Sequence, residues 1–590
     1  MSYGAVGDPS SNPNGVEWAL SPQSIGSRRG GRVRLLRLSI LVVGAIAVFG
    51  ALIASLYGSG SDGSLVTEKL PKSSFNGIPM PHGVNVGSWL SLEDYFFASH
   101  SAVEVATPDG DTAGMCLPPL HTSQATGPEW NSETDLLTNL AKETSLARAL
   151  RVFHAHRTSF LDFDEDLTTL ASLGIRSLRI PISWCLTDED PTTIDPDDDN
   201  TTDVELEKRF TCEDPFYGPD VKWPAVPRGL IVDFLKACAK HGITATLDIH
   251  TYPGGSSPGT FSGVWPLWPR FWTHGDQPSD NADPEEDIGR NLWINFVAWI
   301  ETLAIDEPEA FKGLQGLTPM NEPAHLAGIF IDGKDNNTAF LPPLPPDVAD
   351  AYLDELYTDD DTLTQVPDGA HLRVFKWLGD SVDVFRKSSL PSLGKELMVN
   401  VIEYAIDDRN QTQMWSTSVI GAWWRAATSS KERSSWAVLD MHHYHAWSSD
   451  CSGASDGPPF ANYTCSDTNA RNEALERCTN WARLFRSTID EECGPGAKLM
   501  AGEMSASTHH SVRHACNDKT TLKTTYEMQH KAAQDANVNI FFWSFKMPYG
   551  GAFRPAWSLK HFLYLMGVLP RPDESNYICG DHVSPPHEPK

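Results

Sequence analysis

From Gly83 onward the chain alternates between two hydrophobic periods. Short runs rich in apolar and β-branched residues, at 83–90, 176–183, 243–250, 313–321, 397–405, 437–444, 498–505 and 539–546, read as eight strands. Between them the period lengthens: Phe163, Leu167, Leu170 and Ala171 fall on one helical face, as do Ile231, Phe234, Leu235 and Cys238. Both of these helices close near a glycine, Gly174 and Gly242, where the chain must turn left-handed before entering the next strand. Near-continuous apolar strands separated by amphipathic helices imply an α/β fold with a parallel sheet covered on its outer face. Eight such units predict closure into a (β/α)8 TIM barrel with loop insertions, an open doubly wound sheet being the alternative. Polar residues crowd the carboxyl ends of these runs, where barrel active sites form, and this favours the barrel: Arg179, His250, Asn321 with Glu322, Glu403, His442 with Tyr444, Glu503, and Trp543.

The segment before the barrel follows another pattern. Residues 38–57 are twenty consecutive residues without a charge, long enough to cross a bilayer as a helix. Arg28, Arg29, Arg32, Arg34 and Arg37 precede them and a Gly/Ser stretch follows, so the positive-inside rule places the tail in the cytoplasm. A cleaved signal peptide is the rival, but its apolar region is usually shorter and nearer the N-terminus. The expected organisation is a disordered basic tail (1–37), a single transmembrane signal anchor (38–57), a linker (58–75) and the barrel domain (76–590), with the barrel outside the plasma membrane in a single-pass type II arrangement. Four sequons, at Asn200, Asn336, Asn410 and Asn462, all follow the apolar segment, as do all ten cysteines. Such cysteines are expected to form disulfides, apart from an occasional buried thiol such as Cys238.

A net charge of -31 argues against nucleic acid as a partner, because a phosphate polymer would be repelled; a neutral polysaccharide meets no such penalty. Much of the acidity is local, as in the solvated run 188–199. The run Met-His-His-Tyr-His at 441–445 invites a metal site, yet neighbours on a strand point to opposite faces, so no metal and no organic cofactor is expected.

Glu322, in Thr-Pro-Met-Asn-Glu-Pro, and Glu503, in Leu-Met-Ala-Gly-Glu-Met-Ser, each end an apolar run. Paired carboxyl groups about 5–5.5 Å apart are what a retaining glycosidase needs, one to protonate the leaving oxygen and one to attack the anomeric carbon. The acid requires a raised pKa, supplied by partial burial and by the second carboxylate. The nucleophile requires donors or positive charge, which Arg179 and Tyr444 can supply. His250 and His442 offer donors and acceptors to sugar hydroxyls, although a satisfied core histidine is the ordinary role of each. Trp265, Trp268, Trp272 and Trp543 are candidates for stacking on pyranose rings, with core packing as the alternative.

In this order the motifs resemble glycoside hydrolase family five, particularly the fungal exo-β-1,3-glucanase branch, over about residues 83–565. They are Gly-Val-Asn-Val-Gly-Ser-Trp-Leu-Ser-Leu-Glu at 83–93, Ser-Leu-Arg-Ile-Pro-Ile-Ser-Trp, Asp-Ile-His, Asn-Glu-Pro, His-His-Tyr, Gly-Glu-Met-Ser and Phe-Trp-Ser-Phe-Lys. The resemblance implies Glu322 as acid/base and Glu503 as nucleophile. Glu93 would contact the terminal glucose, Asn321 the sugar 2-hydroxyl, and Arg179, His250, His442, Tyr444 and Trp543 would complete the shell. It further implies hydrolysis of β-glucosidic bonds of cell-wall glucan, in this branch as an exo-1,3-β-glucosidase. A transglycosylase, a hydrolase of another β-glycan or of a glycolipid, and a catalytically silent carbohydrate-binding membrane protein are the alternatives. The sequence departs from the branch after His250, where Thr-Tyr-Pro-Gly-Gly-Ser-Ser-Pro-Gly stands, at Met504 in place of a tryptophan, and in expected insertions at 98–149 and 187–227.

Overall fold

The computed structural model describes residues 74–75, 77–93, 96, 132–195, 201–215, 217–255, 288–323, 370–402, 411–448, 450–458, 461–509, 514–547 and 554–572. The expected anchor at 38–57, Trp265, Trp268, Trp272, Glu403 and the sequons at Asn200, Asn336 and Asn410 lie outside the described residues. One unit of the chain, 1–69 with 334–339, falls entirely outside them; everything below belongs to the other, 70–333 with 340–590. Among the described residues no helix is long and apolar enough to cross a membrane.

Eight parallel strands close a barrel in chain order: β1 (Gly83–Asn85), β2 (Ser177–Ser183), β3 (Thr244–Thr251), β4 (Leu314–Thr318), β5 (Glu396–Ile402), β6 (Ala437–His443), β7 (Lys498–Met504) and β8 (Asn539–Phe542), with β8 pairing back to β1. Helices α1 (Glu165–Ser172), α2 (Arg228–Lys240), α3 (Ile288–Asp306), α4 (Ala370–Lys387), α5 (Gln411–Ala427), α6 (Trp481–Cys493), α7 (Lys519–Asp535) and α8 (Leu559–Leu565) alternate with the strands in chain order, α1 following β1 and α8 following β8. The two expected glycine stops have positive φ, 82° at Gly174 and 66° at Gly242, a region that glycine enters without a Cβ penalty.

Strand alternation sorts the residues of β2: Leu178, Ile180 and Ile182 join the apolar core beneath the helices, while Arg179 turns into the barrel. The barrel interior is layered. At its amino end Gln315 donates to Glu396 at 3.1 Å and Lys498 reaches the same carboxylate at 2.5 Å. Above this lies a separate apolar cluster of Met398, Val438, Met500 and Phe541. Above that the side chains become polar again, and there the candidate site begins.

Several strands are shorter than their apolar runs. After Val86, whose N–H still donates to the Arg179 carbonyl at 2.9 Å, the chain leaves the ladder: the Gly87 N–H turns to the Ser544 hydroxyl at 3.1 Å, Ser88 takes φ 56°, and pairing with β2 resumes at the Leu90–Ile182 bridge. Gly313 ends a short helix, Pro308–Gly313, and does not open β4; a Cβ there would lie 1.9 Å from the Leu235 carbonyl oxygen. Beyond Thr318, Pro319 has no N–H to extend the ladder.

The expected insertions carry structure of their own. Residues 187–227 contain the helix Asp203–Phe210 and an antiparallel pair, Thr211–Asp214 with Gly218–Pro224, fastened by the Cys185–Cys212 disulfide. Disulfides Cys451–Cys478 and Cys465–Cys516 cross-link the region between β6 and α7, whereas Cys238 and Cys493 are buried thiols.

Candidate active site

The polar upper layer is organised around Arg179, which has no exposed surface. One guanidinium nitrogen donates to Glu503 Oε1 at 2.6 Å and to Asn85 Oδ1 at 3.0 Å. The other donates to Asn321 Oδ1 at 2.6 Å and lies 3.0 Å from Asp248 Oδ2. A buried cation of this kind persists only with anionic partners. Burial opposes its charge, but Asp248, Glu503 and Asp440 hold it protonated more firmly than usual.

Glu503 receives a second donor, the Tyr444 hydroxyl, at 2.6 Å from Oε2. Its position depends on an irregularity in the sheet. Lys498, Met500 and Gly502 alternate on one face, so an unbroken strand would turn Glu503 away from the site. Between Met441 and His442 the register slips, so that Ala501 pairs with Met441 and Glu503 with His442. A bulge at Gly502 of this kind re-aims the following side chain, and here it brings Glu503 inward.

Glu322 follows β4 with φ 45°, a left-handed conformation uncommon for a residue with a side chain. Its N–H donates to Asn400 Oδ1 on β5 at 3.1 Å, and its Oε1 lies 2.7 Å from His442 Nδ1. The same ring nitrogen is 3.5 Å from Glu503 Oε2. One oxygen of each glutamate and a ring nitrogen of His442 lie within 4.8 Å of one another, so the two carboxyl groups face each other across one imidazole. Burial alone would push the His442 pKa down; Glu503, Asp440 and Glu322 override it and raise it to about 10. These three neighbours favour the imidazolium form of His442, whose Nδ1–H then points at Glu322. Glu322, His442 and Glu503 are the one group among the described residues whose donor atoms converge closely enough for a metal ion.

The remaining predicted residues lie on the same rim. His250 Nδ1 meets Asp248 Oδ2 at 2.7 Å, and its Nε2 lies 3.3 Å from Asn321 Nδ2 and 4.0 Å from Glu93 Oε1. Trp543 lies parallel to the His250 ring, 6.0 Å away at 9°, and meets Phe96 edge-on. The fold thus gathers Glu93, Arg179, His250, Asn321, Glu322, His442, Tyr444, Glu503 and Trp543 at the carboxyl end of the barrel. Sequence reading passed over Asn85, Asn400 and Asp440. Each is fully buried, and the available signal was a polar residue inside an apolar strand. The sequence leaves His442 between a sugar-hydroxyl contact and a satisfied core histidine, and in the structure its Nδ1 lies 2.7 Å from Glu322.

No family model and no curated protein matches the chain. Among solved structures, a family 5 xyloglucanase from Paenibacillus pabuli matches at 12% identity over 70% of this chain and 88% of that one, with a TM-score of 0.35. The endoglucanase Cel5A of Pseudomonas stutzeri matches at 12% identity over 64% and 76%, with a TM-score of 0.31. A β-glycosidase matches at 12% identity over 66% and 76%, with a TM-score of 0.32. Likenesses this remote carry no argument about this chain, and the functional reading rests on its own residues.

Proposed function

We propose that the chain is a retaining β-glycoside hydrolase acting on a neutral β-glucan. The observation that carries the reading is Glu503 held at 2.6 Å by both Arg179 and Tyr444, facing a Glu322 that shares His442 with it. Glu322 delivers a proton to the glycosidic oxygen as Glu503 attacks the anomeric carbon. The C–O bond to the leaving sugar breaks and a glycosyl ester forms on Glu503. Esterification removes the negative charge beside Glu322, which then takes a proton from water as that water opens the ester, with net retention. Arg179 and Tyr444 keep Glu503 ionised and aimed before attack. Asn321 commits its oxygen to Arg179 and one side of its amide nitrogen to His250 Nε2, and its second amide hydrogen serves the sugar 2-hydroxyl.

The exo-1,3 specificity belongs to this proposal through the resemblance of residues 83–93, and the anchor through the uncharged run 38–57, which would set the barrel outside the plasma membrane beside cell-wall glucan. The test is hydrolysis by the full-length chain of a β-glucan panel that includes laminarin oligomers, with the first-formed anomer read by proton NMR. The expected result is a β-configured first product that is absent with Glu503→Ala. Equal sugar release by wild type and variant, or an α-configured first product, overturns the reading.

A further inference from the structure

We propose that Asp440, on β6, is a positioning residue of this site: seated on the backbone of Gly502, its carboxylate fixes His442 and, through His442, the hydrogen bond made to Glu322. The inference rests on the glycosidase reading above and adds a residue that the motif comparison does not contain.

Three contacts place Asp440. Its Oδ1 accepts the Gly502 N–H at 2.6 Å, the peptide immediately before Glu503 and the point where the register of β7 slips. A Cβ at Gly502 would lie 2.4 Å from Oδ2 and 2.8 Å from Oδ1, so this approach requires glycine at 502. Oδ2 lies 3.7 Å from His442 Nε2, with no exposure of either side chain, and neither atom has a hydrogen-bond partner among the described residues. His442 Nδ1 in turn meets Glu322 at 2.7 Å. One continuous chain therefore runs from the Gly502 backbone through Asp440 and His442 to Glu322, joining β7, β6 and the end of β4.

The carboxylate is not needed merely to satisfy the Gly502 N–H, because an amide oxygen would accept that bond equally well. What an amide lacks is charge, and charge is what His442 senses across 3.7 Å of buried space. The groups facing His442 are Glu503 on β7, Glu322 beyond β4 and Asp440 on its own strand. Arg179 on β2 is committed to Glu503 and Asp248, the Tyr444 hydroxyl is committed to Glu503, and among the described residues β5 contributes the neutral Asn400. Asp440 is thus the one anion in this set that has no part in the chemistry. Glu503 loses its charge when it becomes an ester and Glu322 changes protonation within the cycle. The Asp440 carboxyl group alone faces Nε2 unchanged throughout, favouring a doubly protonated ring whose Nδ1–H stays aimed at Glu322 in both half-reactions.

The test compares full-length wild type with Asp440→Asn, which preserves shape and the Gly502 bond. The expected result is kcat lower by roughly 10- to 100-fold with KM changed less than about threefold. The alkaline limb of the pH–kcat profile should move at least about one pH unit toward neutrality, because an imidazolium deprived of one carboxylate releases its proton more readily. In 15N-histidine spectra, with the His442 signal assigned by its loss in His442→Gln, the wild-type ring should carry both protons at pH 7.5 and the Asp440→Asn ring should have begun to release one. A lower kcat with an unmoved pH limb and an unmoved His442 signal would make Asp440 merely structural and overturn the proposal. A neutral His442 in the wild type at pH 7.5 would overturn it as well, whether or not the variant folds. A wild-type chain inactive on every β-glucan would instead refute the glycosidase reading, and the spectra would still decide the Asp440–His442 coupling.

Discussion

Asp166 offers a quantitative test of how the barrel holds its first and last units together. It lies in the first turn of α1, 2% exposed, and accepts from Lys546 at 2.6 Å, from Lys560 at 2.9 Å and from the Asp162 N–H at 3.0 Å. Lys546 follows β8 and Lys560 lies in α8, so one carboxylate ties the end of the barrel to its first unit. The perturbation is Asp166→Asn. Breaking a buried ion pair by removing one partner costs about 3–5 kcal/mol. A lysine, however, can escape by releasing its proton, and this limits the loss. Burial already pushes Lys546 down to about 8 from its ordinary 10.5, with Asp166 opposing. In the wild type at pH 7 that depression already costs ~3 kcal/mol, and pushing the lysine fully neutral adds only ~1.4 kcal/mol more. Weakening the bond to Lys560 from charge-assisted to neutral adds ~1 kcal/mol. The expected loss at pH 7 is therefore ~2–3 kcal/mol, at the low end of the range for buried pairs. The sign with pH follows from linkage. A lysine depressed in the folded state binds fewer protons there than when unfolded, so stability rises as pH climbs from 8 toward 10.5. At pH 9.5 Lys546 is neutral in both proteins and the gap should shrink to ~1 kcal/mol. Urea denaturation at pH 7 and 9.5 measures it. A gap of 4 kcal/mol or more at pH 7, or one that does not change with pH, refutes the reasoning.

Three further outcomes are expected. Tyr444→Phe removes a hydrogen bond to a carboxylate, about 1.5–3 kcal/mol, and should lower kcat by roughly 10- to 150-fold with the fold intact by circular dichroism; a change below threefold would count against Tyr444 as the partner of the nucleophile. His443 is fully buried, stacks on Trp481 at 4.5 Å and has no partner for either ring nitrogen among the described residues; burial holds its pKa well below 6.5. The unfolded chain therefore takes up protons first as pH falls below 6.5, stability is lost with acidification, and His443→Phe should narrow the difference in melting temperature between pH 7.5 and pH 5. Asn462 is exposed and its sequon lies within the disulfide-linked region; full-length chain from a eukaryotic secretory host should show a glycosidase-sensitive mobility shift that decreases with Asn462→Gln, and an unchanged ladder would place this site outside the modified set.

The strands were legible because the barrel buries both of their faces. A run such as Ser-Leu-Arg-Ile-Pro-Ile-Ser is uniformly inaccessible in the structure and, between its two serines, apolar around a single charge in the sequence, and the glycines at 174 and 242 mark the turns that feed the strands. The strand-end rule was enough to place Glu322 and Glu503 at one mouth once eight strands were counted. Their partners required the closure itself. Asn85 Nδ2 donates to the carbonyls of Gly502 and Phe542, 417 and 457 residues away, contacts that exist only because β8 returns to β1. Nothing local to Gly-Val-Asn-Val announces that Asn85 will support Arg179, since a single asparagine near a strand end reads equally well as a turn former.

The bulge at Gly502 shows the limit most sharply. By alternation from Lys498, Glu503 belongs on the outer face of the barrel, and a strictly periodic reading would have assigned it to the helix interface, where an unpaired carboxylate is costly. The motif pointed inward while the period pointed outward, and the register slip opposite Met441–His442 resolves the conflict. Gly502 permits that slip because the space its side chain would fill belongs to Asp440. The residue that makes room for the nucleophile and the residue that fills the room therefore form one device, distributed over two strands 62 positions apart. A pattern read along one strand at a time sees a small residue in one run and an acid in another, and only the parallel pairing of β6 with β7 makes each the reason for the other.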